Sequence, residues 1–200
     1  MTEYNVVFIT DENYAMPTGV AMVSLIKNFS SRYRLIIYVI CDEVSDETKQ
    51  KLLKCKEVRD ADVDIVFIDA DNAWDGPRAE LDSANISRAA MIKFRIPVIL
   101  EWVNRVLFLD SDLIVEGDIS GIFEYNIDDV YLASVEDMDP SRISDDGISQ
   151  CGVFLLECAH RKNLLEDLLL RVSFFQGHSC LVLSDNKCSV PFCLDRVDVL

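Results

Sequence analysis

Asn104-Arg105-Val106-Leu107-Phe108-Leu109-Asp110-Ser111-Asp112-Leu113-Ile114-Val115 is the stretch whose reading decides the fold. Val106 to Leu109 is an unbroken apolar run, which suits a strand buried on both faces in the middle of a parallel sheet. Two aspartates follow where the run stops. Side chains of an extended chain repeat every second residue, so Asp110 and Asp112 are expected on one side of the strand's carboxyl end, where open α/β sheets bind ligands. Two carboxylates about 4–5 Å apart repel by about 3–4 kcal/mol at an effective dielectric of about 20, and no basic residue lies near them in sequence to offset this. Such a pair seeks a proton or a hard cation. Mn²⁺ or Mg²⁺ fits the oxygen donors, and its open coordination positions would suit the oxygens of a diphosphate. Asp-x-Asp also arises in ordinary turns; the apolar strand before it and the apolar Leu113 to Val115 after it favour the ligand reading.

With 200 residues and 50% hydrophobic content, the chain can build one sizeable core, and a single domain over residues 1–200 is expected. No apolar run approaches the ~20 residues that cross a bilayer, and Met1-Thr2-Glu3-Tyr4 lacks the basic and apolar regions of a signal peptide, so a cytoplasmic location is expected. The seven cysteines are odd in number and scattered, as reduced buried thiols are. His178, Cys180, Cys188 and Cys193 lack the Cys-x-x-Cys spacing usual for zinc. A formal charge of -16, from 19 basic and 35 acidic side chains, argues against a nucleic-acid partner. Nucleotides remain open, because one metal ion reverses the local sign of a site.

Asn5 to Ile9 reads as a first buried strand ending at Thr10-Asp11-Glu12-Asn13-Tyr14, with polar residues again in the ligand position. Met16 to Phe29 has near-helical apolar spacing, and Pro17 is tolerable in its first turn. A second strand, Leu35 to Ile40, precedes a charged helix, Asp46 to Glu57, with Ser45 as its cap. Val63 to Ile68 is a third strand. Strand and helix alternating in this way imply a mainly parallel sheet. Asp69 to Asn85 reads as a surface loop, Ser87 to Leu100 as a helix interrupted by Pro97, and Ile119 to Tyr125 as a short segment. Val130 to Val135 and Gln150 to Leu156 read as strands, Glu136 to Gly147 as an acidic closing loop, and Asn163 to Phe175 as an amphipathic helix.

Together these pieces resemble the family 8 glycosyltransferases, the group of glycogenin and the bacterial lipopolysaccharide galactosyl- and glucosyltransferases. Phe8-Ile9-Thr10-Asp11-Glu12-Asn13-Tyr14 is similar to that family's first-strand motif, Ser87 to Pro97 to the helix before its metal motif, Val106 to Val115 to its Asp-x-Asp strand, and Gln150 to Leu156 to its donor-sugar motif. The resemblance implies an α/β fold of the GT-A type, with a mainly parallel central sheet flanked by helices. It also implies transfer of glucose or galactose from a UDP-sugar to a saccharide acceptor, with retention, in lipopolysaccharide or other surface glycan synthesis. By the same resemblance Thr10, Asp11 and Asn13 hold the nucleotide, Lys93 the phosphates, and Ser111 and Glu136 further parts of the donor. Asp110 and Asp112 hold Mn²⁺ or Mg²⁺, and Gln150, Asp185 and Asn186 orient the transferred sugar. No carboxylate suits a covalent double displacement, so front-face attack assisted by the leaving phosphate is the expected route.

The departures from the family are informative. Lys93 stands where the family has Arg, keeping the charge without the bidentate fork. Gln150 stands in place of Asn, and Asp185-Asn186-Lys187 in place of Asp-Gln-Asp. The family's later His-x-x-Gly-x-x-Lys-Pro-Trp motif has no counterpart before Leu200, so the chain is expected to lack the C-terminal part of its domain, to show little activity alone and to self-associate; peripheral membrane contact is a further expectation. Two other readings stay open. One is a haloacid-dehalogenase-type phosphatase, whose strand-borne aspartates Leu109 to Ile114 also resemble; the other is a nucleotide-sugar binder without catalysis.

Overall fold

In a computed structural model, residues 2–30, 32–70, 88, 92–127, 132–134 and 153–158 are described. Among them six strands form one sheet: β1 (Glu3–Asp11), β2 (Arg34–Asp42), β3 (Val63–Asp69), β4 (Arg105–Leu109), β5 (Leu132–Ser134) and β6 (Val153–Glu157), in the spatial order β3-β2-β1-β4-β6-β5. β1, β2, β3 and β4 run parallel; β6 runs antiparallel to β4, and β5 antiparallel to β6. The chain builds outward from β1 through β2 to β3, then returns to lay β4 on the other side of β1. That reversal puts a topological switch point between the carboxyl ends of β1 and β4, the ligand position of such sheets.

Both faces of the sheet are covered, and alternation along each strand divides the core in two. Val6, Phe8, Leu107 and Leu109 face α1 (Ala15–Asn28), meeting Met22, Leu25 and Ile26. Val7, Ile9, Val106 and Phe108 face the other way, toward Ile92, Ile96, Ile99 and Leu100 around the short α3 (Ile96–Ile99). Val106 to Leu109 are therefore all buried, as a strand covered on both faces requires.

The helices follow from local chemistry. The Tyr14 N–H, at the mouth of α1, donates to Asp11 Oδ1 at 2.8 Å, and Lys27 lies in the last turn against the dipole's negative end. α2 (Asp46–Leu53) starts at Ser45, whose hydroxyl accepts from the Thr48 N–H, with Asp46 and Glu47 in the first turn. A Cβ at Gly19 would lie 3.3 Å from Leu52 Cδ2, so the missing side chain there lets α1 and α2 approach closely.

Several expected elements differ in extent. The helix expected over Asp46 to Glu57 is α-helical only to Leu53 and tightens into a 3-10 turn, Lys54–Val58, whose Cys55 packs on the core beside Gly19 of α1. The helix expected from Ser87 to Leu100 is, in its described part, α-helical at Arg88 and Ile92, tightens into a 3-10 turn, Lys93–Arg95, and resumes as the one-turn α3 with Pro97 at its start. Ile119 to Tyr125 contains the 3-10 turn Ser120–Glu124. The strand expected over Val130 to Val135 is described at Leu132–Ser134, and that over Gln150 to Leu156 at Val153–Glu157. Of the loop expected over Asp69 to Asn85, Asp69 ends β3 and residues 71–85 lie outside the described residues, as do the acidic loop 136–147, the helix 163–175, and the cluster of His178, Cys180, Cys188 and Cys193. Among the described residues no helix is long and apolar enough to cross a membrane.

Candidate active site at the sheet's carboxyl edge

The mouth of β1 is held by its own polar side chains. Thr10 is buried, and its hydroxyl lies 2.9 Å from that of Thr18 on α1, whose single proton faces both it and the Tyr14 carbonyl at 2.8 Å. Asp11 Oδ1 is taken by the Tyr14 N–H, which folds residues 11–14 into a turn. Glu12 points away from the strand and grips the start of α2, accepting from the Ser45 N–H at 2.9 Å and the Thr48 hydroxyl at 2.6 Å. Those bonds hold the Glu12 carboxyl below its ordinary pKa, the Thr48 hydroxyl contributing most. Asn13 is exposed at the tip of the turn.

The β4 turn is joined to this mouth directly. The Ser111 hydroxyl, 7% exposed, donates to the Ile9 carbonyl of β1 at 2.8 Å. Beyond the turn, α1 fixes the outgoing chain: the Asn28 side-chain amide donates to the Val115 carbonyl at 2.7 Å, and the Val115 N–H to the Ser24 hydroxyl at 2.9 Å. Asp11 and the Asp110–Asp112 turn thus close the ends of two adjacent strands.

Of the two aspartates, Asp112 is exposed and Asp110 is two-thirds covered. The pair is not bare, contrary to what the turn's own sequence implies. Lys93 Nζ stands 2.8 Å from Asp110 Oδ1, and 4.8 Å from the centre of the buried Phe108 ring. The 17 residues between Lys93 and Asp110 hide this partnership from local sequence; α3 folds back against β4 and brings it about. A second pair escaped sequence reading altogether: Arg88 Nη1 meets Asp42 Oδ1 at 2.5 Å, with both side chains largely buried at the carboxyl end of β2. Its one sequence signal is a cation within the stretch that precedes the Asp-x-Asp strand. Two carboxylates on one turn, one already answering a cation, form an oxygen donor set suited to a hard divalent ion. Among the described residues no third His, Cys, Asp or Glu joins them. Glu136, Gln150, Asp185 and Asn186 lie outside the described residues.

The sequence matches the family model "Glycosyl transferase family 8" over residues 5–163. The chain belongs to that family. Its relatives include General stress protein A of Bacillus subtilis, 25% identical over 90% of this chain and 66% of the relative. Another is the lipopolysaccharide 1,2-glucosyltransferase of Escherichia coli, 28% identical over 70% of this chain and 42% of the relative. This family 8 chain therefore spans two thirds or less of the length of the curated relatives it matches. Among solved structures, the galactosyltransferase LgtC in complex with donor and acceptor sugar analogues superposes with a TM-score of 0.60 at 19% identity, covering 86% of this chain and 67% of that one. The fold is of the GT-A type, and the Asp-x-Asp strand is the fourth of its parallel strands rather than the opening strand that the phosphatase reading needs.

Proposed function

We propose that this chain is a retaining glycosyltransferase domain that moves a hexose, glucose or galactose, from a UDP-sugar to a saccharide acceptor. The observation that carries the reading is the joined switch point: Asp11 after β1 and Asp110–Asp112 after β4, tied by the Ser111–Ile9 hydrogen bond. A nucleotide over β1 would reach the β4 turn with its diphosphate. Asp11, through the oxygen the Tyr14 N–H leaves open, and Asn13 at the exposed tip would hold the nucleoside, while Thr10 fixes the turn from beneath.

Asp110 and Asp112 would hold Mn²⁺ or Mg²⁺, which when bound offsets charge developing on the departing phosphate. Lys93, hydrogen-bonded to Asp110 at 2.8 Å, would turn its ammonium to those phosphates. Gln150, Asp185 and Asn186 would orient the hexose, with Glu136 toward the donor. The leaving UDP's own phosphate oxygen would take the acceptor's proton on the face it departs from, giving retention. The Escherichia coli relative is a lipopolysaccharide 1,2-glucosyltransferase, which supports a lipopolysaccharide or similar surface glycan acceptor; this chain would reach it from the cytoplasm, at the inner face of the membrane.

The test is UDP release from UDP-glucose and UDP-galactose with Mn²⁺ and with chelator, read alongside UDP binding by calorimetry. Metal-dependent release, with the donor's anomeric configuration kept in the product by NMR, is the expected result. Binding without turnover would favour the non-catalytic nucleotide-sugar binder. Equal UDP affinity with and without chelator would remove the metal from the account.

A further inference from the structure

We propose that Lys93 is a displaceable counter-cation for Asp110, which holds a divalent ion off the Asp-x-Asp turn until a nucleotide diphosphate arrives to receive the ammonium. The inference rests on the reading of that turn as a metal site. Lys93 Nζ is hydrogen-bonded to Asp110 Oδ1 at 2.8 Å, and its position 4.8 Å over the Phe108 ring adds a cation–π attraction. Phe108 itself is 1% exposed and locked in the sheet's second core, so the ammonium rests on a rigid platform. Its last carbons are free to move, since the side chain keeps 27% of its surface open, and lysine's stem is long and flexible.

A divalent ion between Asp110 and Asp112 would meet this ammonium at the oxygen it needs. Two cations would then share the turn, and like charges at such range oppose one another. Among the described residues the structure pairs Lys93 with no carboxylate other than Asp110. An ammonium pushed off Asp110 by metal alone would therefore lose its anion. A diphosphate changes the balance, because it brings two or three negative charges, one part for the metal and another for the lysine. Metal and nucleotide should consequently bind with positive coupling, and linkage makes the coupling equal in both directions. Arg at this position would keep the cation but, with a planar fork, would hold the carboxylate more firmly. Lysine is the residue for a latch that lets go.

The experiment is calorimetric titration of Mn²⁺ into the chain, alone and with saturating UDP, for the wild type, Lys93→Met, Lys93→Gln and Lys93→Arg, each checked for an unchanged circular dichroism spectrum and melting curve. Two neutral variants guard against one that does not fold. In the wild type, UDP should tighten Mn²⁺ binding at least about tenfold, and Mn²⁺ should tighten UDP binding by the same factor. Both neutral variants should bind Mn²⁺ alone about tenfold more tightly than the wild type and show a smaller coupling factor, whereas Lys93→Arg should keep the metal weak without nucleotide. If the neutral variants bind Mn²⁺ alone no better than the wild type while UDP binding stays metal-dependent, the latch is overturned and the metal site stands. If no variant binds Mn²⁺ with or without UDP, the metal reading falls and takes the latch with it.

Discussion

Arg34 and Lys93 each meet carboxylates at opposite ends of the same sheet, with opposite outcomes. At the amino end, Arg34 opens β2 between Glu3 of β1 at 3.1 Å and Asp64 of β3, with Asp62 at 3.8 Å. One cation there is surrounded by three anions, and all four residues belong to strands in register or to the turn beside them. Nearby, Tyr4 stacks on Phe123 with ring centroids 4.4 Å apart and leans on Tyr33 at 4.6 Å. At the carboxyl end, Arg88 closes Asp42 after β2 and Lys49 reaches Asp69 after β3, but on the β4 turn Lys93 answers Asp110 only, among the described residues, and Asp112 stays exposed. The Arg34 cluster is closed on itself; the turn after β4 leaves a carboxylate facing outward. Strand order explains the contrast. β1, β2 and β3 are consecutive neighbours, so their starts stay together, whereas β1 and β4 send their outgoing chains in different directions and open a crevice.

The sharpest way to break this contrast is Asp112→Ala. Removing this proposed metal ligand should weaken Mn²⁺-dependent UDP binding by about 100-fold, the upper end of what even indirect metal partners cost, while leaving thermal stability nearly unchanged. Calorimetry and a melting curve report the two quantities separately, and a large loss of stability with intact binding would make the carboxyl end as structural as the amino end.

Ser111→Ala should come next. It deletes the buried bond that joins the two mouths and leaves the Ile9 carbonyl without that donor, at a cost of about 1–2 kcal/mol in urea unfolding. UDP affinity should fall with it, because Asp11 and the Asp110–Asp112 turn lose their common anchor; unchanged affinity would show that the two mouths are set independently.

Arg34→Met is the matching change at the other end. Its ion pairs are exposed and screened, so the melting temperature should move by no more than about 2 °C, and UDP affinity should not move at all. A measurable change in nucleotide binding would mean that the two ends communicate.

The smallest effect belongs to Glu12. Its carboxyl pKa is lowered by the Thr48 hydroxyl and the Ser45 N–H, so the native value lies below the unfolded one of about 4.3. The tether to α2 is fully present above the unfolded pKa and is lost as pH falls through the native one. A carbon-13 NMR titration should place the Glu12 midpoint below that of an unstructured glutamate, and Glu12→Gln should remove the tether's share of acid sensitivity. A midpoint at the ordinary value would make the turn's grip on α2 incidental.

Sequence by itself determined the strands and the positions of the acidic ends. Val106 to Leu109 could be read as doubly buried because an unbroken apolar run has no other stable place, and Thr10 to Tyr14 as a strand mouth because polarity begins where burial stops. The helices were less legible at their ends. Lys54–Val58 and Lys93–Arg95 depart from α geometry at points where local charge and Pro97 leave little to favour either form of turn. What sequence could not determine is which mouths lie side by side. The placement of β4 beside β1, the 2.8 Å bond from Ser111 to Ile9 across 102 residues, and the seating of Lys93 on Asp110 are long-range facts. They depend on how two apolar faces of one sheet are covered, and no window of neighbouring residues contains that information. Charge followed the same rule: the sequence listed the cations and anions, and only the packed sheet decided which were closed in pairs, as Arg34 and Arg88 are, and which, like Asp112, were left exposed.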